Sequence, residues 1–188
     1  LVLSGTGNLE KLPAFREGLF YVQDAAAKLS VLCAELKPGQ RVLDCCAAPG
    51  GKSFAAAMET AGNAYITSCD VHDHKIGLIQ RGAARLGVVK HEARLQDATE
   101  FVPEWEEAFD AIICDVPCSG FGVFAKKPEL RYKDPTGSDA LPAIQFAILE
   151  TASAYVKDGG LLVYSTCTLF PEENEGNVAR FLARHPEF

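Results

Sequence analysis

The stretch that decides the fold is Val42-Leu-Asp-Cys-Cys-Ala-Ala-Pro-Gly-Gly-Lys-Ser53. Val42 and Leu43 favour a buried strand that ends at Asp44, and the small residues after it predict a turn that a ligand can approach closely. An alanine-rich helix is predicted from Ser53. A strand, a glycine turn and a helix in this order expose backbone N–H groups at the helix N-terminus, where the polar end of a nucleotide-like cofactor can bind.

Two interpretations of this turn compete. Gly51-Lys52-Ser53 copies the end of the phosphate-binding P-loop, G-x-x-x-x-G-K-[ST]. However, Cys46 stands where that pattern needs its first glycine, and Pro49 removes an N–H group that a phosphate cradle would use. A nucleotide hydrolase therefore stays as the alternative to the second interpretation.

The second interpretation comes from a resemblance. Asp44 followed by the Ala-Ala-Pro-Gly-Gly-Lys run resembles the S-adenosylmethionine (AdoMet) loop of the RNA 5-methylcytosine methyltransferases, the Nol1/Nop2/Sun family. The resemblance extends from about residue 18 to residue 177. It implies AdoMet as cofactor and a Rossmann-like AdoMet-dependent methyltransferase fold. The loop residues that it assigns to cofactor binding are Cys46, Ala47, Ala48, Pro49, Gly50, Gly51 and Lys52.

Composition sets the class of protein. The 188 residues are 48% hydrophobic with mixed charge, which predicts a single globular α/β domain over residues 1–188. No apolar run is long enough to span a bilayer and no signal peptide is apparent, so we expect a cytoplasmic protein without membrane contact. Seven cysteines, an odd number, indicate reduced thiols. The net charge of −7 argues that any RNA contact is local or supplied by another domain.

Strand and helix signals alternate along the chain. This alternation predicts a mostly parallel sheet with helices on both faces. We expect a lead-in hairpin and helix over residues 1–38 and a Rossmann-like core over residues 39–188. The resemblance implies that the family's last two strands lie beyond this core and that an RNA-binding domain lies upstream. The predicted strands are 42–44, 64–70, one ending near 97, 109–115 and 161–167, and the predicted helices are 24–36, 53–58, 73–86 and 141–156.

Acidic residues follow several strands. Ligands of open α/β sheets bind at the carboxyl ends of the strands, and Asp70 lies about 20 residues after the glycine turn, the spacing of an acid that meets ribose hydroxyls. The resemblance gives Asp70 the same role, places Asp97 at the adenine end of AdoMet and adds Asp115 to the cofactor site. Helix capping is the commoner role of a single aspartate. The coincidence of several strand ends favours a binding site.

Two cysteines lie in stretches that can carry methylation chemistry, Asp115-Val-Pro-Cys118 and Ser165-Thr-Cys167. C5 of cytosine is a poor nucleophile until a thiolate adds to C6, so the reaction needs a cysteine beside the cofactor. In the usual methyltransferase strand order the two preceding strands are neighbours, roughly 5 Å apart. Both thiols should therefore reach one base. We interpret Cys33, Cys45, Cys69 and Cys114 as buried packing residues.

Spacing does not decide which thiol attacks. A Pro-Cys cysteine such as Cys118 attacks in DNA cytosine methyltransferases, whereas the RNA family uses the Thr-Cys cysteine, which matches Cys167. The resemblance to the RNA family implies that Cys167 is the nucleophile and that Cys118 assists product release. It also implies that Asp115 hydrogen-bonds the N3/N4 edge of the cytosine and that Lys52 supports this network electrostatically.

The loop from Lys126 to Lys133 holds four cations and one acid. A solvated loop is the ordinary interpretation of such a run. Its position beside the thiols favours contact with RNA, and Lys-Lys-Pro-Glu-Leu-Arg resembles the small-subunit rRNA (RsmB-like) branch of the family, which implies rRNA as substrate. Cys69, His72 and His74 lack a fourth ligand, so no metal site is predicted. A catalytically silent RNA-binding scaffold is a further alternative.

Overall fold

The computed structural model describes residue 5 and residues 7–188, so residues 1–4 and 6 of the predicted lead-in lie outside it. Within the described residues, one sheet of parallel strands has the order β3-β2-β1-β4-β5. Its strands are β1 Arg41–Asp44, β2 Tyr65–Asp70, β3 His91–Leu95, β4 Phe109–Asp115 and β5 Val156–Ser165. The predicted neighbouring of the strands before Cys118 and Cys167, β4 and β5, is confirmed.

Helices cover both faces of the sheet. They are α1 Pro13–Arg16, α2 Ala25–Leu32, α3 Gly51–Glu59, α4 Asp73–Arg85, α5 Leu141–Ser153 and α6 Glu175–Arg184. Val42 of β1 packs in one apolar cluster with Ala55 and Ala56 of α3, whereas its neighbour Leu43 packs in another with Ile148 of α5. Successive side chains of a strand point to opposite faces, so the core has two layers of side chains, one on each side of the sheet. The predicted Rossmann-like fold class is confirmed.

The turn after β1 has the predicted form. β1 ends at Asp44, and α3 begins at Gly51. Gly50 precedes the helix with φ of 107°, and a Cβ atom at this position would lie 2.4 Å from the Phe54 ring. A left-handed φ and this close ring both favour glycine. The sequence therefore places the helix N-terminus directly below the carboxyl ends of the strands.

The predicted lead-in hairpin is wrong for the described residues. Residues 7–38 contain no strand, and their regular elements are a 3-10 turn at Leu9–Lys11, α1 and α2. The apolar run 19–22, where the predicted hairpin would lie, has no regular structure and pairs with no strand of the described chain. Instead, Arg85 of α4 donates hydrogen bonds to the carbonyl oxygens of Phe15 and Phe20, which fixes this segment on the α4 side of the domain.

The apolar pattern of the predicted helix 24–36 places Ala26, Leu29, Leu32, Cys33 and Leu36 on one inward face, and this prediction is wrong for most of them. Leu29 and Leu32 are exposed, as is Cys33, which we expected to be buried; Val31 is fully buried against the alanines of α3. Three successive alanines carry little information about the face that turns inward. The other three packing cysteines, Cys45, Cys69 and Cys114, are buried as predicted.

The boundary between α5 and β5 differs from the prediction. The helix ends at Ser153, and Val156, which we placed in the helix, pairs with Phe109 as the first residue of β5. The register shifts between Phe109 and Ala111, and Gly159 takes a φ of 72° inside the irregularity. Gly159 and Gly160 therefore lie in a bulge within the strand rather than before it. No helix in the described part of the chain is long and apolar enough to cross a membrane.

Candidate active site

A cavity of about 540 Å³, which we call the main cavity because the predicted site residues line it, opens at the carboxyl ends of the strands. Its size is that of a pocket for a cofactor-sized ligand. Seven of the predicted site residues line it: Cys46, Ala48, Asp70, Asp97, Asp115, Cys118 and Cys167. Val116, Ile144 and Ile148 add apolar lining. A larger cavity of about 690 Å³ runs along the β5 edge beside Leu161 and Phe188, and none of the predicted site residues lines it.

The turn after β1 divides between two cavities. A smaller cavity of about 220 Å³ is lined by Ala47, Pro49, Gly51 and Lys52. It shares Cys46, Ala48 and Asp115 with the main cavity. Gly50 is buried and lines neither. The turn thus separates the two cavities. The predicted cofactor-loop residues are divided between them and do not form one surface. Burial raises the pKa of the Cys46 thiol, which keeps it protonated.

Asp70 and Asp97 line the opposite side of the main cavity. Asp70 is almost fully buried, and its Oδ1 accepts a hydrogen bond of 3.0 Å from the His72 amide. Asp97 Oδ1 accepts bonds from the amide and hydroxyl of Thr99, at 2.9 and 2.7 Å. Each carboxylate therefore stabilises its local turn, as a capping aspartate does, and also faces the cavity. The two functions are compatible because each carboxylate has two oxygens.

Asp115 and Lys52 form an ion pair at the junction of the two cavities. Lys52 Nζ lies 2.5 Å from Asp115 Oδ2, and the Ser165 hydroxyl donates to Asp115 Oδ1 at 2.7 Å. The lysine is the more buried partner, with 15% of its side chain exposed against 35% for the aspartate. Its ammonium group is held by a carboxylate, which is the opposite of the phosphate contact that a P-loop requires.

Asp44 lies below this ion pair. It is fully buried, its Oδ2 accepts a hydrogen bond of 2.7 Å from the Ser53 hydroxyl, and its Oδ1 has no hydrogen-bond partner among the described residues. Burial raises the pKa of Asp44 to about 6, and the charge of Asp115 adds to this effect against the Ser53 hydrogen bond. The carboxyl group below the turn thus titrates close to neutral pH.

The two candidate thiols are in contact. Cys118 Sγ lies 3.1 Å from Cys167 Sγ, and the Cys167 amide donates to Cys118 Sγ at 3.2 Å. Cys118 follows β4 and is half-buried, whereas Cys167 follows β5 and is exposed. Both line the main cavity beside Asp115. One ligand in that cavity can therefore meet both sulfur atoms.

The contact makes the thiols unequal. The hydrogen bond from Cys118, with the charges of Lys127 and Lys52, lowers the pKa of Cys167 to about 6 although burial and Asp115 act in the opposite direction. The same hydrogen bond and burial raise the pKa of Cys118, although the Cys167 amide opposes this. Cys167 is therefore the thiolate near neutral pH and Cys118 the thiol that donates to it.

Sequence reasoning missed a buried polar cluster behind the thiols, formed by Gln145, Tyr164, Glu173 and Asn177. Gln145 is fully buried, and Glu173 and Asn177 are 2% and 3% exposed. Each is a single polar residue in a helix, a strand or a turn, and its partners lie at least nine residues away in the chain, so no local pattern signals the cluster. Asn174 accepts a 2.6 Å bond from the Thr166 hydroxyl and donates to the carbonyl of Thr168. It therefore holds the turn around Cys167.

Two of the four cations of the basic loop have partners within the protein. Lys126 forms an ion pair with Asp24, and Lys133 donates to the Ser119 carbonyl at 2.9 Å and lies over the Phe121 ring. Lys127 and Arg131 are exposed, and neither forms an ion pair within the described residues. Contact with RNA stays a prediction for this loop. No group of three or more metal-ligating side chains is positioned to hold a metal ion in the described ranges.

Residues 31–188 match the family described as 16S rRNA methyltransferase RsmB/F. The chain is 42% identical over 176 residues to the probable ribosomal RNA small subunit methyltransferase B of Bacillus subtilis (strain 168), which covers 93% of the chain and 39% of the relative. It is 42% identical over 167 residues to ribosomal RNA small subunit methyltransferase B of Thermus thermophilus, with 88% and 40% covered. The chain thus spans about two fifths of the length of these relatives.

A solved structure shows the same fold. NSun6 from Pyrococcus horikoshii with SFG superposes with a TM-score of 0.86 at 32% identity, covering 94% of the chain and 45% of that protein. The match with the family extends from α2 through both thiol-bearing loops to the last residue described. The chain therefore belongs to the RsmB/F family of 16S rRNA methyltransferases.

Proposed function

We propose that this chain is the catalytic domain of an AdoMet-dependent RNA (cytosine-C5)-methyltransferase that acts on small-subunit rRNA through a covalent bond between Cys167 and C6 of the cytosine. The observation that carries the proposal is the 3.1 Å contact between Cys118 and Cys167 at the wall of the main cavity. Methylation at C5 requires one group that forms the bond to C6 and a second group that helps to break this bond. Two adjacent thiols of unequal acidity supply both groups.

The main cavity fits AdoMet. Its volume of about 540 Å³ suits a nucleoside with a short amino-acid chain, and Asp70 and Asp97 offer carboxylate oxygens at one end. The relative NSun6 was solved with SFG. AdoMet, when bound, supplies an electrophilic methyl group. Asp70 would bind the ribose hydroxyls, Asp97 would face the adenine end, and residues 46–52 would support the cofactor from below, with Asp115 at the junction with the base.

The residues of the chain then have distinct roles toward the base. The Cys167 thiolate adds to C6, and the electrons of the C5–C6 double bond move into the ring, where Asp115 hydrogen-bonds the N3/N4 edge. Lys52 supports Asp115 through their ion pair. After C5 has gained its methyl group, the C5 proton passes to water, the electrons of its bond restore the C5–C6 double bond, and the bond from sulfur to C6 breaks to release Cys167 as a thiolate. Cys118 assists this second half.

RNA binding and location follow from the same proposal. With a net charge of −7 the domain has little general attraction for a phosphate backbone, so Lys127 and Arg131 would make local contacts. The relatives are more than twice as long as this chain, and we propose that an RNA-binding domain upstream of it supplies the remaining affinity. An rRNA substrate would place the protein in the cytoplasm.

Nucleoside analysis tests the proposed function. The full-length protein is incubated with methyl-labelled AdoMet and small-subunit rRNA, and the digested RNA is separated by chromatography. We expect label in 5-methylcytidine. Label in another nucleoside would contradict the C5 chemistry, RNA binding without label would favour a silent scaffold, and magnesium-dependent ATP hydrolysis without AdoMet binding would favour the hydrolase.

A further inference from the structure

Gln145 and Glu173 hold the chain on both sides of Cys118. Glu173 Oε2 accepts hydrogen bonds from the Ser119 amide at 2.9 Å and from Gln145 Nε2 at 2.7 Å. Gln145 Nε2 also donates to the carbonyl oxygen of Pro117 at 2.9 Å. One buried amide and one buried carboxylate therefore bind the residue before Cys118 and the residue after it, and leave the thiol free.

The same carboxylate belongs to the turn that follows Cys167. The Tyr164 hydroxyl donates to the Glu173 carbonyl at 2.7 Å, which fixes Glu173 to the end of β5. The hydroxyls of Ser119 and Thr168 lie 2.8 Å apart, and both are buried. Two side-chain contacts thus connect the Cys118 loop to the Cys167 turn, one from Glu173 to the Ser119 amide and one between Ser119 and Thr168. Neither contact involves a sulfur atom.

The carboxylate of Glu173 is buried at a cost. Glu173 has no ion pair among the described residues, and its Oε1 has no hydrogen-bond partner there. Its hydrogen bonds from Ser119 and Gln145 hold its pKa below the ordinary value although burial acts in the opposite direction. A charge without a cation is costly in the interior, so these hydrogen bonds must be kept for Glu173 to stay buried.

We propose that Gln145 and Glu173 are positioning residues that fix Cys118 against Cys167. Without them the Cys118 loop would lose its bonds at Pro117 and Ser119, and the sulfur atoms would separate. The catalytic consequence rests on the proposed function: Cys167 would still attack, but release of the product would slow because Cys118 is displaced. The spacing of the thiols is independent of that function and can be measured without RNA.

Phenylarsine oxide measures this spacing in the full-length protein. Its arsenic forms two As–S bonds with a pair of adjacent thiols and releases its oxygen as water with the two thiol protons. We expect Glu173→Gln to bind the reagent like the wild type, because the glutamine carbonyl can accept both hydrogen bonds. Glu173→Ala and Gln145→Leu should bind the reagent at least roughly tenfold more weakly than the wild type. The reason is that chelation depends on the effective concentration of the second thiol.

The controls separate this effect from general damage. Glu172→Ala removes an exposed neighbouring carboxylate and should change nothing. Cys118→Ala gives the background from the other thiols. Each variant is checked by thermal denaturation, and if Glu173→Ala does not fold, Glu173→Asp, which withdraws the carboxylate by one methylene, replaces it. Wild-type arsenical affinity in folded Glu173→Ala, or in its replacement, and in Gln145→Leu overturns the proposal.

A second measurement concerns catalysis. With AdoMet and rRNA, folded Glu173→Ala should accumulate a covalent protein–RNA complex as Cys118→Ala does, whereas Glu173→Gln should turn over. If Cys118→Ala itself forms no complex, the proposed function has failed and the arsenical measurement alone decides the positioning role. A complex with Cys118→Ala but none with Glu173→Ala that has lost arsenical binding would overturn the catalytic part only.

Discussion

Cys118 Sγ and Cys167 Sγ lie 3.1 Å apart, although 49 residues separate them in the chain. The contact exists because β4 and β5 are parallel neighbours and both thiols follow their carboxyl ends. At this distance a proton on Cys118 can stabilise a thiolate on Cys167. The proposed roles of attack and release fall on different residues, which single substitutions can separate.

Substitution of each thiol should give opposite results with RNA. Cys167→Ala should abolish methyl transfer and form no covalent complex, because the bond to C6 is never made. Cys118→Ala should attack but fail to release, and a protein–RNA adduct should survive denaturing gel electrophoresis when AdoMet and a cytosine-bearing RNA are present. The full-length protein should be used. An adduct from Cys167→Ala and none from Cys118→Ala would reverse the roles.

The reactivity of Cys167 should depend on pH through its neighbour. Because its pKa lies at about 6, its alkylation by iodoacetamide should rise through pH 6 and level off above it. In Cys118→Ala the largest cause of the lowered pKa is absent, so the midpoint should move toward the ordinary value of 9.0. Peptide mass spectrometry locates the alkylated residue. The same midpoint in both proteins would show that Cys118 does not stabilise the thiolate.

Asp70→Ala should weaken AdoMet binding by about 1–3 kcal/mol, the range for losing a hydrogen bond to a charged acceptor. Isothermal titration calorimetry with AdoMet measures this. Asp73→Ala is a matched control, since Asp73 is an exposed carboxylate at the start of the next helix and lines no part of the cavity. Equal affinity of Asp70→Ala and the wild type would remove Asp70 from the cofactor site.

Asp44 should make stability depend on pH. Its pKa is about 6 in the folded state against 3.8 for the free group, so the folded protein binds the proton more tightly. Stability should therefore fall as pH rises from about 4 to about 6, by up to about 1.4 kcal/mol per unit, and stay level above. The reference is Asp44→Asn, which lacks this titration. Parallel pH profiles in urea denaturation would show that Asp44 does not titrate in this range.

Lys127 and Arg131 should contribute to RNA binding by neutralising phosphate groups. Replacing both with Ala should lower affinity and reduce the slope of log K against log salt by about 0.7–0.9 for each phosphate that is no longer neutralised. Lys126→Ala, whose ammonium group pairs with Asp24, should have a smaller effect on the slope. An unaltered slope in Lys127→Ala/Arg131→Ala would identify the loop as an ordinary solvated segment.

The sheet and the position of the cavity could be predicted because their signals are local. A parallel strand buried on both faces has a short apolar run, and Asp44, Asp70 and Asp115 mark the ends of three such runs. Neighbouring carboxyl ends then bring Cys118 and Cys167 together. The resemblance to one family supplied their roles, which the geometry alone leaves as an unequal pair of thiols.

The supporting residues could not be predicted. Gln145 reads as one polar residue in an apolar helix, and its partner Glu173 lies 28 residues away; Ser119 is 54 residues from Glu173. Such pairs are set by how α5 and the turn after β5 pack, which no spacing encodes. The prediction of the inward face of α2 failed for a different reason, because its alanines fit either side of a helix.

Backbone hydrogen bonds extend the pairing of β4 and β5 beyond the sheet. The Val116 amide donates to the Ser165 carbonyl at 3.1 Å, and the Gly122 amide donates to the Cys167 carbonyl at 2.9 Å. A Cβ atom at Gly122 would lie 2.8 Å from that oxygen, so the segments that follow β4 and β5 touch through their peptide groups. The two thiols thus lie where the backbone hydrogen bonding of the sheet continues past its last strand residues. The backbone therefore sets their alignment, and slow amide exchange at Gly122 would be its signature.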